Sequence, residues 1–83
     1  MYTIIIPDDI QKKIRKLPKT WLSKIARVLN NLAENPYQGK KLHADYHGRY
    51  AVRAWPYRII YTIDRERITV VIVDLGHRKD IYR

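Results

Sequence analysis

The fold prediction starts from the stretch "YHGRYAVRAWPYRIIYTID", residues 46–64. Its side chains alternate at a spacing of two, which is the period of a β-strand and not of a helix. Trp55-Pro56 interrupts the alternation, so we expect two strands joined near that dipeptide. Alternation assigns Tyr57, Ile59, Tyr61 and Ile63 to one side of the second strand, and Arg58, Ile60 and Thr62 to the other. We expect the first set to face the helices that the first half of the chain predicts.

A third strand follows this pair. The segment "RITVVIVDL", residues 67–75, is nearly continuous in β-branched residues. Only the polar stretch "DRER", residues 64–67, separates it from the preceding strand, and that is short enough for a hairpin turn. The second half of the chain therefore predicts a three-stranded antiparallel meander.

The first half predicts a strand and two helices that cover this meander. "YTIII", residues 2–6, is a β-branched run closed by Pro7, and Asp8 or Asp9 is placed to cap a helix behind it. Apolar residues then recur at helical spacing in two segments separated by Pro18: Ile10, Ile14 and Leu17, then Trp21 or Leu22, Ile25, Val28, Leu29 and Leu32. The predicted fold is an α+β domain spanning residues 1–83, with the helix pair packed on one face of the sheet.

Composition limits the classes of function. With 46% hydrophobic and 30% charged residues the chain is globular, and its length supports a single core. No apolar run approaches the roughly 20 residues of a membrane helix, no secretory leader is evident, and cysteine is absent. We therefore expect a cytoplasmic protein without disulfides or a membrane partner. The three histidines have no ligand-like spacing to carboxylates, so neither a metal nor another cofactor is expected.

Charge points to a polyanionic or acidic partner. Lys and Arg number 17 against 8 Asp and Glu, a net charge of +9. Between Glu34 and Asp64 the only acid is Asp45, while cations and aromatic rings alternate there. That combination is typical of proteins that bind phosphates and stack on bases.

A cluster suited to phosphodiester cleavage is expected where the strands meet. If the two strands pair around Trp55-Pro56, Arg53 and Arg58 lie on one face, and the terminal "GHRKDIY", residues 76–82, comes within reach of them. Guanidinium groups stabilise the charge that builds on phosphate oxygens when a ribose 2′-hydroxyl attacks. His77 is a candidate for proton exchange, and Tyr82 for stacking or for orienting the hydroxyl.

These stretches resemble the RelE/ParE toxin superfamily, and RelE-like messenger-RNA interferases in particular. The resemblance rests on the element order and on "KLHADYHGRYAVRAWPYRIIY" (41–61) with "VIVDLGHRKDIY" (71–82). It implies a ribosome-dependent endoribonuclease that cuts translated messenger RNA and pairs with an acidic antitoxin. It also implies phosphate contacts by Arg58 and Arg78 and a catalytic or stacking role for Tyr82. The full set of candidate residues is Arg53, Arg58, His77, Arg78 and Tyr82 for catalysis, and Lys40, Lys41, Arg49, Trp55 and Lys79 for RNA binding.

Two departures keep other functions open. Ala51 stands where many members have Lys or Arg, and Trp55-Pro56 replaces a turn that often contains glycine. The alternatives are a ParE-like inhibitor of DNA gyrase and a catalytically inactive binding protein of the same fold. The joint presence of Arg58, Arg78 and Tyr82 favours the nuclease, whereas Ala51 favours the inactive protein.

Overall fold

The computed structural model describes residues 1–43 and 47–77, which form a single α+β layer pair. Its elements in chain order are β1 (Thr3–Ile5), α1 (Asp8–Arg15), α2 (Lys19–Glu34), a 3-10 helix (Pro36–Gln38), β2 (Lys40–Lys41), β3 (Tyr50–Ala54), β4 (Tyr57–Asp64) and β5 (Thr69–His77). The predicted order of strand, helix pair and meander is confirmed.

The five strands form one mixed sheet in the order β1-β5-β4-β3-β2. β3, β4 and β5 are antiparallel neighbours, as predicted, and β1 pairs in parallel with β5. Two features were not predicted: the partner of β1, and the two-residue strand β2 on the outer edge of β3. The first strand therefore meets the last, and the chain between them supplies both helices and the rest of the sheet.

The helices begin and end close to the predicted positions, with one correction. Pro7 is the N-cap residue of α1 and no side chain caps it, so the prediction that Asp8 or Asp9 is the cap was wrong. Both acids lie in the first turn, where their charge still favours the positive end of the helix dipole. Pro18 then serves as the N-cap residue of α2.

The core lies between the helices and one face of the sheet, which we call the helix face. The described residues buried there come from α1, α2, β3, β4 and β5: Ile10, Ile25, Leu32, Ala54, Ile59, Tyr61, Val70, Ile72 and Leu75. Tyr57 and Ile63 pack against this cluster, so the predicted facing of β4 is confirmed. Burial of this apolar surface is the main stabilising contribution to the fold.

A register shift in β5 explains how its nearly continuous apolar run meets the core. Ile60 lies opposite Asp74 but Tyr61 lies opposite Ile72, so Val73 is an extra residue in the ladder. Because of this β-bulge, Ile72 and Leu75 both face the core although they are three residues apart. Strict alternation would have put them on opposite faces.

Neither helix among the described residues is both long and apolar enough to cross a membrane.

Candidate functional site

The face of the sheet opposite the helices carries two arginines side by side. Arg53 on β3 lies directly opposite Arg58 on β4. This is the second residue pair from the Trp55-Pro56 turn, after the pair of Ala54 and Tyr57. Val52 and Ala54 pack toward the core, so alternation turns Arg53 to the other face, and Ile59 does the same for Arg58. The expectation that the two guanidinium groups share a face is confirmed at the level of register.

Lys40 enters the same face from β2. It pairs with Ala51, which is itself two residues before Arg53 on β3. A cavity of about 220 Å³ opens between these strands. It is lined by Lys40, Leu42, Ala51, Val52, Arg53 and Arg58. We call the side of the sheet that carries Lys40, Ala51, Arg53 and Arg58 the basic face.

The cavity is strongly electropositive. Three of its lining residues are cations, and none of the lining residues in the described part of the chain is acidic. Asp74 on β5 lies opposite Ile60 of β4. Its carboxylate is bound by the Lys13 ammonium at 2.8 Å. Like charges directly opposite on neighbouring strands destabilise a sheet, so Arg53 and Arg58 favour an anion between them. The cavity is smaller than the roughly 300–1,000 Å³ of pockets for drug-sized ligands, which suits a phosphate group.

The turn that carries the two arginines is bound to α2. The Lys24 ammonium donates a hydrogen bond of 2.8 Å to the Trp55 carbonyl oxygen and lies 5.8 Å from the centre of the Trp21 ring. Trp21 in turn meets Tyr57 edge to face. Trp55 itself is 44% exposed. These contacts fix the position of the hairpin end relative to the helices.

Two predicted site residues lie on the helix face instead. His77 is opposite Tyr57 in the sheet, and their rings meet edge to face with centres 5.8 Å apart. Since Tyr57 packs against the core cluster, His77 is separated from Arg58 by the thickness of the sheet. Lys41 pairs with Tyr50, which also packs against the core, so the sheet turns Lys41 away from Lys40. The bulge and the short β2 strand decide both placements.

The remaining candidates divide by position. The Leu42 amide donates to the Arg49 carbonyl oxygen at 2.9 Å, so β2–β3 pairing extends by one residue, and Arg49 lies two positions before Ala51. Arg78, Lys79 and Tyr82 lie outside the described residues, and their roles stay predictions. Leu42 is a lining residue that sequence reasoning missed; its alternation with Lys40 is the signal that would have identified it.

A buried hydroxyl stands behind the cavity. Tyr61 is fully buried and stacks on the Tyr50 ring. Its hydroxyl donates to the Pro36 carbonyl oxygen at 2.7 Å and accepts from the Gly39 amide at 3.1 Å. Burial raises the pKa of Tyr61 to about 12, outweighing the amide donor, which lowers it; Tyr50 adds a small further increase. The phenol is therefore neutral at physiological pH.

Comparison with known proteins agrees with this architecture. The model of a toxin family, described as ParE toxin of type II toxin-antitoxin system, parDE, matches residues 4–82. Toxin RelG of Mycobacterium tuberculosis is 34% identical over 84 residues, covering 99% of this chain and 97% of that protein. The chain therefore belongs to the RelE/ParE superfamily, and it is a toxin of a type II toxin–antitoxin system.

Solved structures extend the likeness to three dimensions. A chain of the toxin–antitoxin complex RelBE2 from M. tuberculosis superposes with a TM-score of 0.85 at 32% identity, covering 93% of this chain and 98% of that one. The archaeal RelE–RelB complex from Pyrococcus horikoshii gives 0.82 at 23% identity, covering 95% and 97%. The second likeness concerns the fold alone.

Proposed function

We propose that this toxin is a metal-independent endoribonuclease that cuts messenger RNA on the translating ribosome. The observation that carries the proposal is the cavity in which Lys40, Arg53 and Arg58 surround the small side chain of Ala51. Fixed cations around a space of phosphate size are what the electrostatic part of phosphodiester cleavage requires. The basic net charge of +9 supports an RNA substrate.

In the proposed reaction the ribose 2′-oxygen attacks the adjacent phosphorus and the bond to the 5′-oxygen of the next nucleotide breaks. Negative charge grows on the non-bridging oxygens, where the guanidinium groups of Arg53 and Arg58 and the Lys40 ammonium stabilise it. One proton leaves the 2′-hydroxyl and another reaches the 5′-oxygen, so the products are a cyclic phosphate and a free hydroxyl. Arginine carries neither proton, because its guanidinium stays charged.

The proton carriers are proposed from the terminal segment. Tyr82 is the proposed phenol beside the reacting oxygen, and Arg78 the proposed further phosphate ligand. His77 is a weaker candidate than its sequence position indicates, since its ring packs on Tyr57 on the helix face. Trp55, Arg49 and Lys79 are proposed to hold the flanking nucleotides by stacking and by phosphate contacts.

The partners follow from the same charge. We propose that a cognate acidic antitoxin covers the basic face and neutralises it. The RelBE2 likeness supports this, because that structure is a toxin–antitoxin complex and its matched chain is 32% identical to this one. Ribosome and messenger RNA are the other proposed partners, which implies action in the cytoplasm.

Primer extension on messenger RNA during translation tests the proposal. The wild-type toxin is expected to produce cuts within ribosome-bound codons, and Arg58→Ala is expected to reduce them about 10²–10³-fold, below what primer extension detects. Arg65→Ala is the matched control, because Arg65 is exposed in the turn between β4 and β5, far along the strand from Arg58. Cuts that survive Arg58→Ala, or that disappear equally with Arg65→Ala, would overturn the proposal.

A gyrase inhibitor is the second candidate, and one observation favours it: the family model that matches residues 4–82 is described as ParE. Gyrase-dependent DNA breaks without RNA cuts would support that function. Absence of both activities would favour an inactive binding protein, for which Ala51 is the sequence argument.

A further inference from the structure

The link between the 3-10 helix and β2 is held by one buried side chain. The Tyr61 hydroxyl bonds the Pro36 carbonyl oxygen and the Gly39 amide, at 2.7 and 3.1 Å. These two backbone groups flank the turn that leads directly into Lys40. Tyr61 is fully buried in the centre of β4, so it offers the turn a rigid point of attachment.

Gly39 belongs to the same arrangement. A Cβ atom there would collide with the Tyr61 hydroxyl and would approach the Ala51 carbonyl oxygen to 2.8 Å. The backbone of Gly39 is extended, with φ −77°, so glycine is required by space and not by an unusual dihedral angle. The backbone at Gly39 therefore packs directly against the Tyr61 hydroxyl, one residue before Lys40 pairs with Ala51.

β2 is a short strand, and the segment before it also contacts β3 through the rings of Tyr37 and Tyr50, whose centres are 6.1 Å apart. It contains two residues and lies at the edge of the sheet, where β3 is its neighbour among the described strands. The bond from the Leu42 amide to the Arg49 carbonyl oxygen continues the pairing by one residue. So short an edge strand is marginal by itself, and the Tyr61 attachment lies one residue before the Lys40–Ala51 pair.

We propose that Tyr61 is a positioning residue of the anion site: its hydroxyl holds Gly39, and thereby places the Lys40 ammonium over Ala51 as the third cation of the cavity. The small side chain of Ala51 leaves the room that Lys40 enters from the neighbouring strand. The inference rests on the proposed function for its substrate, a phosphodiester of single-stranded RNA. The positioning itself concerns any phosphate that the cavity binds.

Tyr61→Phe removes the hydroxyl and keeps the ring that stacks on Tyr50. The Pro36 carbonyl oxygen and the Gly39 amide then lose their partner, and the turn moves toward water to satisfy them. We expect hydrogen exchange at the Leu42 amide to become faster in Tyr61→Phe, while amides in the centre of β4 change far less.

Inorganic phosphate is the first probe of the cavity. Its binding is monitored by the NMR shifts of the Ala51 and Arg53 amides. Lys40→Met is expected to weaken phosphate binding at least about tenfold, the lower end of the contribution of a hydrogen bond to a charged group, and Tyr61→Phe is expected to weaken it by a similar factor. The double variant is expected to be no weaker than either single one, because both act through the same ammonium.

Two controls separate positioning from a general loss of stability. Ile25→Val lowers stability on the helix face and is expected to leave phosphate affinity unchanged. Lys41→Met removes a charge from the side opposite Lys40 and is also expected to leave it unchanged. The inference is overturned if Tyr61→Phe lowers stability without weakening phosphate binding, if its effect adds fully to that of Lys40→Met, or if Lys40→Met has no effect.

A single-stranded RNA oligonucleotide is the second probe and keeps the two proposals apart. Removing one phosphate contact lowers the slope of log affinity against log salt by about 0.7 for a single strand, and both Tyr61→Phe and Lys40→Met are expected to do so. Phosphate binding that responds to Tyr61→Phe while the wild-type toxin cuts no RNA would refute the nuclease alone. If Tyr61→Phe cuts and binds RNA as well as the wild type does, the positioning role alone is refuted.

Discussion

The two faces of this sheet differ in how their residues are held. On the helix face, Ile59 and Tyr61 are fully buried among side chains from both helices and from β5. On the basic face, Arg53 of β3 and Arg58 of β4 lie at the alternate positions. The third cation, Lys40, belongs to the two-residue edge strand β2. A single alternation of side chains therefore produces both a packed core and a cavity lined by Lys40, Arg53 and Arg58.

The largest effect on stability is expected on the helix face. Leu32→Ala should lower the free energy of unfolding by about 2–5 kcal/mol, because Leu32 is fully buried and its removal leaves a cavity. Urea denaturation measures this, with Lys40→Met as the basic-face control that should change stability little. If Leu32→Ala lowers the free energy of unfolding no more than Lys40→Met does, packing of the helices on the sheet is not the main source of stability. The proposed difference between the two faces would then be wrong.

The corresponding effect on the basic face is a loss of activity. Arg58→Ala is expected to slow RNA cleavage by about 10²–10³-fold, the cost of removing one donor to the transition-state charge. Single-turnover cleavage in a translating extract measures the rate. Arg65→Ala should cut at the wild-type rate, and an equal loss in both variants would indicate that general positive charge, not the cavity, carries the activity.

Alkaline pH probes the residue that connects the two faces. The folded pKa of Tyr61 is about 12, whereas an unfolded tyrosine ionises near 10. The folded chain therefore holds more protons in that interval, and stability present below pH 10 is lost as pH rises through the folded pKa. We expect Tyr61 to contribute a fall of about 3 kcal/mol in the free energy of unfolding across this interval.

Comparison with Tyr61→Phe isolates this contribution, because the other tyrosines and lysines titrate in both proteins. Denaturant unfolding at a series of alkaline pH values should give a steeper decline for the wild type than for the variant. Parallel curves would mean that the Tyr61 hydroxyl is not held in a buried environment, and the attachment of β2 would lose its basis.

The smallest expected effect has the opposite sign. Arg53→Gln should raise the free energy of unfolding by roughly 0.2–1 kcal/mol at low salt, because it removes a like charge directly opposite Arg58. The gain should shrink as salt or phosphate is added, since both reduce the repulsion. A matched Arg65→Gln, remote from any opposing arginine in the ladder, should change stability less. Destabilisation by Arg53→Gln at low salt would contradict a repulsive pair.

Sequence patterns were sufficient wherever the relevant contacts are local or repeat with a fixed period. The period of two along β4 predicted that Tyr57, Ile59 and Tyr61 face the core, and the Trp55-Pro56 break predicted the pairing of Arg53 with Arg58. The same reasoning could not place His77, because the extra residue Val73 shifts the register of β5 relative to β4. A bulge leaves no clear mark in a continuous apolar run.

The pair Lys40 and Lys41 illustrates the same limit. Both were predicted to bind RNA, but their alternation on β2 puts only Lys40 on the basic face. The Gly39 amide, one residue before Lys40, donates to the Tyr61 hydroxyl, and these two residues lie 22 positions apart in the sequence. Loop closure over that distance is set by tertiary packing and not by local propensity.

By itself, the sequence determined the element order, the composition of the two faces of β4, the excess of positive charge and the family to which the chain belongs. These depend on the period of side chains along the backbone and on residue types, which are properties of the chain before it folds. Only the tertiary structure decided that β1 joins β5, that His77 lies on the helix face and that Lys40 pairs with Ala51. Those outcomes come from register and close approach between distant segments, where a shift of one residue exchanges the two faces.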